Sequence, residues 1–254
     1  MGIKTIPKIV RSLLSSDRDL RDKTKRFRSL LMRWARKHER DFPWRHTSDP
    51  FKTLIAEIML QRTRSPQVAP IYKRFIGRYP NPAALADARP DELAAIVRRL
   101  GLGFRARALG ELARILMEEH RGKVPLRAEE AIRLPGVGPY VASALDAFLL
   151  RRRIPVIDAN VARVLGRVFG IGGADWRWAK AKERRAMYEI AWMCVGRANP
   201  RAYHYALLDF AATVCAPRSP ACPDCPMHRA RICAYCEDTS STLRENPVRS
   251  SQGH

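Results

Sequence analysis

The stretch Leu134-Pro135-Gly136-Val137-Gly138-Pro139-Tyr140-Val141-Ala142 constrains this chain more than any other. It reads as helix, tight turn, helix. Residues 128–134 have the make-up of a short helix, which Pro135 ends. Gly136 and Gly138 supply a turn in which backbone can come close to a partner. Pro139 then falls at the first position of the next helix, where its missing N–H costs nothing. Such a turn aims backbone amides at one spot, with the positive end of a helix behind them, and that suits a phosphate. Pro135, Gly136, Val137 and Gly138 are therefore candidate contacts for a phosphate backbone. Eighteen residues after Tyr140 comes Asp158, at the end of the apolar run Ile154-Pro155-Val156-Ile157. Residues 159–165 are helical in pattern, so Asp158 is expected at an N-cap.

Elsewhere, apolar residues recur at helical spacing. Residues 24–40 carry Phe27, Leu30, Leu31, Trp34 and Ala35 on one face, and Asp41-Phe42-Pro43-Trp44 breaks the pattern. Residues 51–63 are strongly apolar, and 66–79 place Val68, Ile71, Tyr72 and Phe75 together. Helices are expected over 91–100 and 105–120, then over the hairpin unit 128–150, and finally over 159–169, 178–195 and 200–213. Nothing alternates with period two over a useful length, so the expected class is all-α. Residues 1–23 are charged and weakly periodic, an N-terminal arm or extra helix. The polar tail 237–254 is expected to be disordered.

The formal net charge is +22, from 47 Lys+Arg against 25 Asp+Glu. An excess this large points to a polyanionic partner, of which nucleic acid is the commonest. An anionic membrane is the rival, but there is no apolar run of about 18 residues and no lipidation signal. The apolar segment in residues 1–10 is too short for a signal peptide. The expectation is an intracellular, cytoplasmic and monomeric protein without a membrane partner.

Five of the six cysteines fall in the 22 residues from Cys215 to Cys236. Such bunching in an intracellular chain favours a metal site over disulfides. In Cys215-x6-Cys222-x2-Cys225, the last two can face one metal from a single turn. Four thiolates suit either an iron–sulfur cluster or structural zinc, and spacing alone does not separate them. Cys194 lies in an apolar helix and reads as a small core residue. Arg218, between Cys215 and Cys222, would sit on a rigid metal-bound loop as a phosphate grip, unless that loop is ordinary solvated surface.

Glu57 stands inside Leu54-Ile55-Ala56-Glu57-Ile58-Met59-Leu60-Gln61-Arg62-Thr63. A carboxyl buried there would be a proton donor near neutrality. The alternatives are an exposed stripe or a structural arginine pair. In Gly101-Leu102-Gly103-Phe104-Arg105-Ala106-Arg107, Phe104 could wedge into a base stack while Arg105 or Arg107 holds phosphate. Core packing with solvated arginines is the alternative there.

Taken together, the hairpin and Asp158 resemble the helix-hairpin-helix DNA glycosylases. Two further segments carry the resemblance: Glu57-Ile58-Met59-Leu60-Gln61 and the cysteine loop, so that it spans roughly residues 24–236. It implies a barrel of six helices over 49–160, containing the hairpin at 128–150. It also implies a second helical domain, from 24–48 with 161–236, that holds a [4Fe-4S] cluster, and a DNA cleft between the two. The family spaces its cluster cysteines six, two, five. Here Cys233 follows Cys225 after seven residues, so Cys233 is the expected fourth ligand and Cys236 is spare. The resemblance gives Asp158 the chemistry, because its carboxylate stabilises an oxocarbenium-like sugar. Glu57 belongs to the base pocket, and Gln61 and Arg62 fill the gap left by an extruded base.

Position 140 separates the branches. In the family's bifunctional members a lysine here forms a Schiff base. Tyrosine cannot do so, and it marks the thymine–guanine mismatch branch. Residues 209–218 also look like that branch. The implied function is a monofunctional enzyme of base excision repair, removing thymine or uracil opposite guanine in double-stranded DNA. Pro43-Trp44 and Met59-Leu60-Gln61 look like the adenine-specific branch, whose members carry a further C-terminal domain for which about twenty residues after the cysteines leave no room. A reading of a different class is a non-catalytic DNA-binding module stabilised by metal, which would have no need of Glu57 or Asp158.

Overall fold

Proline marks where many helices of this chain begin. The computed structural model describes residues 17–100, 104–171, 181–196 and 198–235. Pro43, Pro50, Pro66, Pro82, Pro90, Pro139, Pro200 and Pro226 each lie in the first turn of a helical segment. The ring presets a helical φ, and the absent N–H is one that has no carbonyl partner there. Every regular element among the described residues is helical. Among them, no helix is long and apolar enough to cross a membrane.

Contacts gather the chain into two units, residues 40–156 and residues 1–39 with 157–254. The second unit contains α1 (Asp17–His38), and the first opens with a short 3-10 turn, Pro43–His46. The first unit continues with α2 (Pro50–Leu60), α3 (Ser65–Arg78), α4 (Pro82–Ala86), α5 (Pro90–Val97), α6 (Phe104–Glu118), α7 (Ala128–Ala131) and α8 (Pro139–Leu149). The second unit resumes with α9 (Ala159–Phe169), α10 (Ala181–Cys194), α11 (Pro200–Thr213) and α12 (Pro226–Arg229).

Each unit has its own core. In the 40–156 unit, α2 lies against α3 and α8, and α6 lies against α4 and α5. Ile55, Met59, Phe75, Leu112 and Leu145 are all fully buried there. In the other unit, α1 packs on α10, α11 and α12 through Phe27 and Leu31, which meet Val164, Leu165, Ile190 and Phe210 in one cluster. The divisions at 39/40 and 156/157 fall nine and four residues before the expected 48/49 and 160/161. Phe42 stacks on Trp44, and Trp44 meets Tyr72 edge-on at 5.5 Å, which draws 40–48 into the first core. Ile157 packs with the second core.

Two elements differ from expectation. Helix α1 begins at Asp17, inside the stretch expected as an arm or a separate extra helix, because Leu20 is buried on the face of Phe27 and Leu31. Helix α4 was not expected as a separate element: five residues are too few to show a stripe, and its start is fixed by Asn81, whose side chain accepts from the Ala84 N–H. Residues 1–16 and the tail from 236 onward lie outside the described residues, and so does Cys236.

Candidate functional site

In the 40–156 unit the hairpin forms from α7, a turn and α8. Gly136 has φ +75°, a left-handed conformation that favours glycine. A Cβ added at Gly138 would meet nothing within 4 Å, so the backbone is open to an approaching partner there. Leu134 and Val137 are buried and anchor the turn. The Val137 N–H donates to the Leu134 carbonyl at 3.1 Å. Val137 thus spends its amide inside the turn, and the donors left for an anion are the first-turn amides of α8. Gly138 caps α8 without a side chain, and Pro139 follows at its start.

The end of α2 reaches this turn, where the Gln61 side-chain amide donates to the Gly136 carbonyl at 2.8 Å. Arg62 beside it is exposed and left-handed, with φ 58°. One turn back, Glu57 is only 3% exposed, among Leu54, Ile55, Ala56, Ile58 and Met59, all buried. The structure thus decides against an exposed stripe at Glu57. Tyr140, second in α8, is half-buried and packs on the same core.

Asp146, also on α8, was not singled out from the sequence. It is 1% exposed, yet its Oδ2 receives Arg152 Nη1 at 2.8 Å and the Ala128 N–H at 3.5 Å. Burial raises its carboxyl above the ordinary range, against the pull of Arg152. The sign that could have found it is the one that drew attention to Glu57, a lone carboxylate among apolar residues, here Leu145-Asp146-Ala147-Phe148.

In the other unit Asp158 is the N-cap of α9, and its Oδ1 accepts the Val161 N–H at 2.7 Å. Its Oδ2 accepts from Asn160 Nδ2 at 2.7 Å. The Asn160 side-chain oxygen takes Arg163 Nη1 at 3.0 Å. Arg163 in turn donates to the carbonyls of Cys215 at 3.0 Å and Ala211 at 2.9 Å. A continuous hydrogen-bonded path therefore runs from the carboxylate to the end of α11 and the first cysteine of the loop. Burial lowers the Arg163 guanidinium below its ordinary value, with Cys215 and Asp158 opposing and Arg167 reinforcing the shift. Sequence alone gave Asn160 and Arg163 no role, since a path that bridges fifty residues leaves no local pattern. Capping leaves lone pairs on both carboxylate oxygens, so the cap and a chemical role are compatible.

Cys215, Cys225 and Cys233 are buried and Cys222 half-buried. Burial pushes the Cys225 thiol up; the His228 and Met227 amides pull it down, and Cys233 and Cys215 lie close enough to push it further. Arg167 Nη1 points at Cys215 Sγ at 3.4 Å and also holds the Ala216 carbonyl at 2.7 Å. Its Nη2 takes the Pro217 carbonyl at 2.8 Å. Donors aimed at buried sulfurs suit thiolates bound to a metal centre. Among the described residues, no three His, Cys, Asp or Glu side chains converge as a site for a single metal ion.

Arg218 is exposed on the loop that Arg167 pins. Arg107 is exposed on α6. Phe104 begins that helix, but the side chains of Phe104 and Arg105 lie outside the described residues.

Residues 55–189 match the model of the HhH-GPD superfamily base excision DNA repair proteins. A thymine-DNA glycosylase of Aeropyrum pernix is 36% identical over 216 residues, 82% of this chain and 93% of that one. An adenine DNA glycosylase of Mycobacterium tuberculosis is 34% identical over 198 residues, 78% of this chain and 64% of that one. The solved structure of a thermostable thymine-DNA glycosylase superposes with a TM-score of 0.77 at 35% identity, covering 85% of this chain and 98% of that one. The chain belongs to the HhH-GPD superfamily of base excision DNA repair proteins.

Proposed function

We propose that this protein is a monofunctional DNA glycosylase that hydrolyses the N-glycosidic bond of thymine or uracil paired with guanine. The observation that carries the reading is the fixed carboxylate of Asp158, held by the Val161 amide and by Asn160. A carboxylate held in place suits a reaction in which positive charge develops on the sugar. The bond from C1′ to the base breaks with its electron pair leaving on the base. Asp158 stabilises the resulting cation and accepts a proton from the water that attacks C1′. Glu57, buried in α2, is the proton donor to the departing base. The likeness to thymine-DNA glycosylases along most of the chain supports pyrimidine as the substrate.

Double-stranded DNA is the partner. The hairpin residues Pro135, Gly136, Val137 and Gly138 hold its backbone, with Val137 contributing by anchoring the turn. Gln61 and Arg62 stand where the extruded base leaves its gap. Phe104, Arg105, Arg107 and Arg218 add stacking and phosphate contacts. Cys215, Cys222, Cys225 and Cys233 fit the thiolate set of a [4Fe-4S] cluster, because three are buried and amide or guanidinium donors face Cys225 and Cys215. When bound, such a cluster would tie the loop that carries Arg218. Tyr140 cannot form an imine, so the reaction ends at an abasic site. The test is a T·G duplex incubated with the protein: strands are expected to break only after alkali. Breakage without alkali, or covalent trapping by borohydride, contradicts the monofunctional reading.

A further inference from the structure

We infer that Asp146 is a positioning residue of the hairpin: from α8 it caps α7, which has no cap of its own, and so sets the turn that grips DNA. The inference rests on the reading of that turn as a DNA contact. Helix α7 has only four residues and its preceding residue, Arg127, makes no side-chain cap. A single turn is not stable alone, so its place depends on what ties it down. The Ala128 N–H, at the start of α7, meets Asp146 Oδ2 at 3.5 Å. The same oxygen takes Arg152 Nη1 at 2.8 Å. Arg152 follows Arg151, which is held left-handed at φ 52° just past the end of α8. One oxygen thus joins the first helix, the second helix and the reversal after it.

This arrangement is a poor way to gain stability. Asp146 is 1% exposed, and its Oδ1 is buried with no hydrogen-bond partner. The Arg152 side chain is nearly half-exposed, so an apolar residue in place of Asp146 leaves no buried, unpaired charge behind and costs little stability. Arg127 and Arg152 favour the carboxylate while Glu129 opposes it, so the balance of charge around it is mixed. What the carboxylate supplies instead is geometry, because it fixes where α7 starts relative to α8 and hence the approach to Gly136 and Gly138.

The test compares wild type, Asp146→Asn and Asp146→Leu on a T·G duplex, reading KM and kcat for base release and Tm by circular dichroism. The expected result for Asp146→Leu is a Tm near wild type, a kcat within about two-fold, and a KM raised roughly five-fold or more, the scale of a lost cap. Asp146→Asn, which keeps an acceptor, falls between the two. An unchanged KM in Asp146→Leu overturns the inference. So does a lowered Tm with KM and kcat damaged together, which is what a merely structural role gives. If wild type releases no base, the proposed function fails, and the dissociation constant for the same duplex replaces KM. Weaker binding by Asp146→Leu then still supports the inference, and unchanged binding overturns it.

Discussion

Asp158 caps a helix and, on our reading, also does the chemistry, and the two roles can be separated. In Asp158→Asn the side-chain oxygen can still accept the Val161 N–H, so α9 keeps its start. The charge is lost. Base release should fall on the order of 10²–10³-fold or more, while duplex binding and Tm stay near wild type. Near-normal turnover by this variant removes Asp158 from the mechanism. Asn160→Ala tests what holds the carboxylate. It deletes the donor to Oδ2 and the acceptor for Arg163. Single-turnover base release should drop roughly ten- to a hundred-fold, the scale of one hydrogen bond to a charged group, with affinity unchanged. A change in affinity alone would show that Asn160 serves binding. The sequence made Asp158 and Glu57 legible because each stands out from its neighbours, one at a helix start and one within an apolar run. Asp146 carried the same mark as Glu57. Asn160 and Arg163 carried none, since their meaning lies in carbonyls some fifty residues away.

Among the elements, the hairpin and the cysteine loop make the sharpest predictions. Tyr140→Lys places an amine at the second position of α8, and some strand cleavage without alkali should appear, trappable by borohydride. Cys233→Ser should lose iron and visible colour and loosen the loop that Arg167 holds. Binding should then weaken more at low salt than at high, because a lost phosphate contact flattens the salt dependence. Cys236→Ser should keep both. Bleaching by Cys236→Ser alone would reassign the fourth ligand. Helix α8 also carries a pH signature. The Asp146 carboxyl is raised by burial, so around and above the ordinary aspartate value of about 4 the native state holds its proton more tightly than the unfolded chain. Its contribution to stability is full below that value and is lost as pH rises through the raised one. Arg152 and Arg127 limit the shift and Glu129 adds to it. The Tm of Asp146→Asn relative to wild type should therefore be higher at pH 7 than at pH 4, and an equal difference at both speaks against a raised carboxyl. Most helix starts were legible because proline and capping residues act locally. The start of α1 was not, because Leu20 gains its meaning from packing, and α4 was missed although Asn81 and Pro82 mark its start, because five residues are too few to show a stripe.

Across the whole molecule, the charge of +22 and the two cores answer different questions. The charge predicts a salt-dependent grip on a polyanion and says nothing of the fold. The assembly of one unit from both ends of the chain was not written in periodicity; it entered only through the family resemblance, and contacts place its edges at 39/40 and 156/157. On our reading this assembly removes a pyrimidine opposite guanine. The most direct measurement incubates duplexes with one T·G, U·G, A·G, A opposite oxidised guanine, or hypoxanthine site, under single-turnover conditions, and scores alkali-labile abasic sites. Release from T·G and U·G is expected well ahead of the others. Release of adenine in preference to thymine and uracil, or tight binding with no release from any duplex, would contradict it.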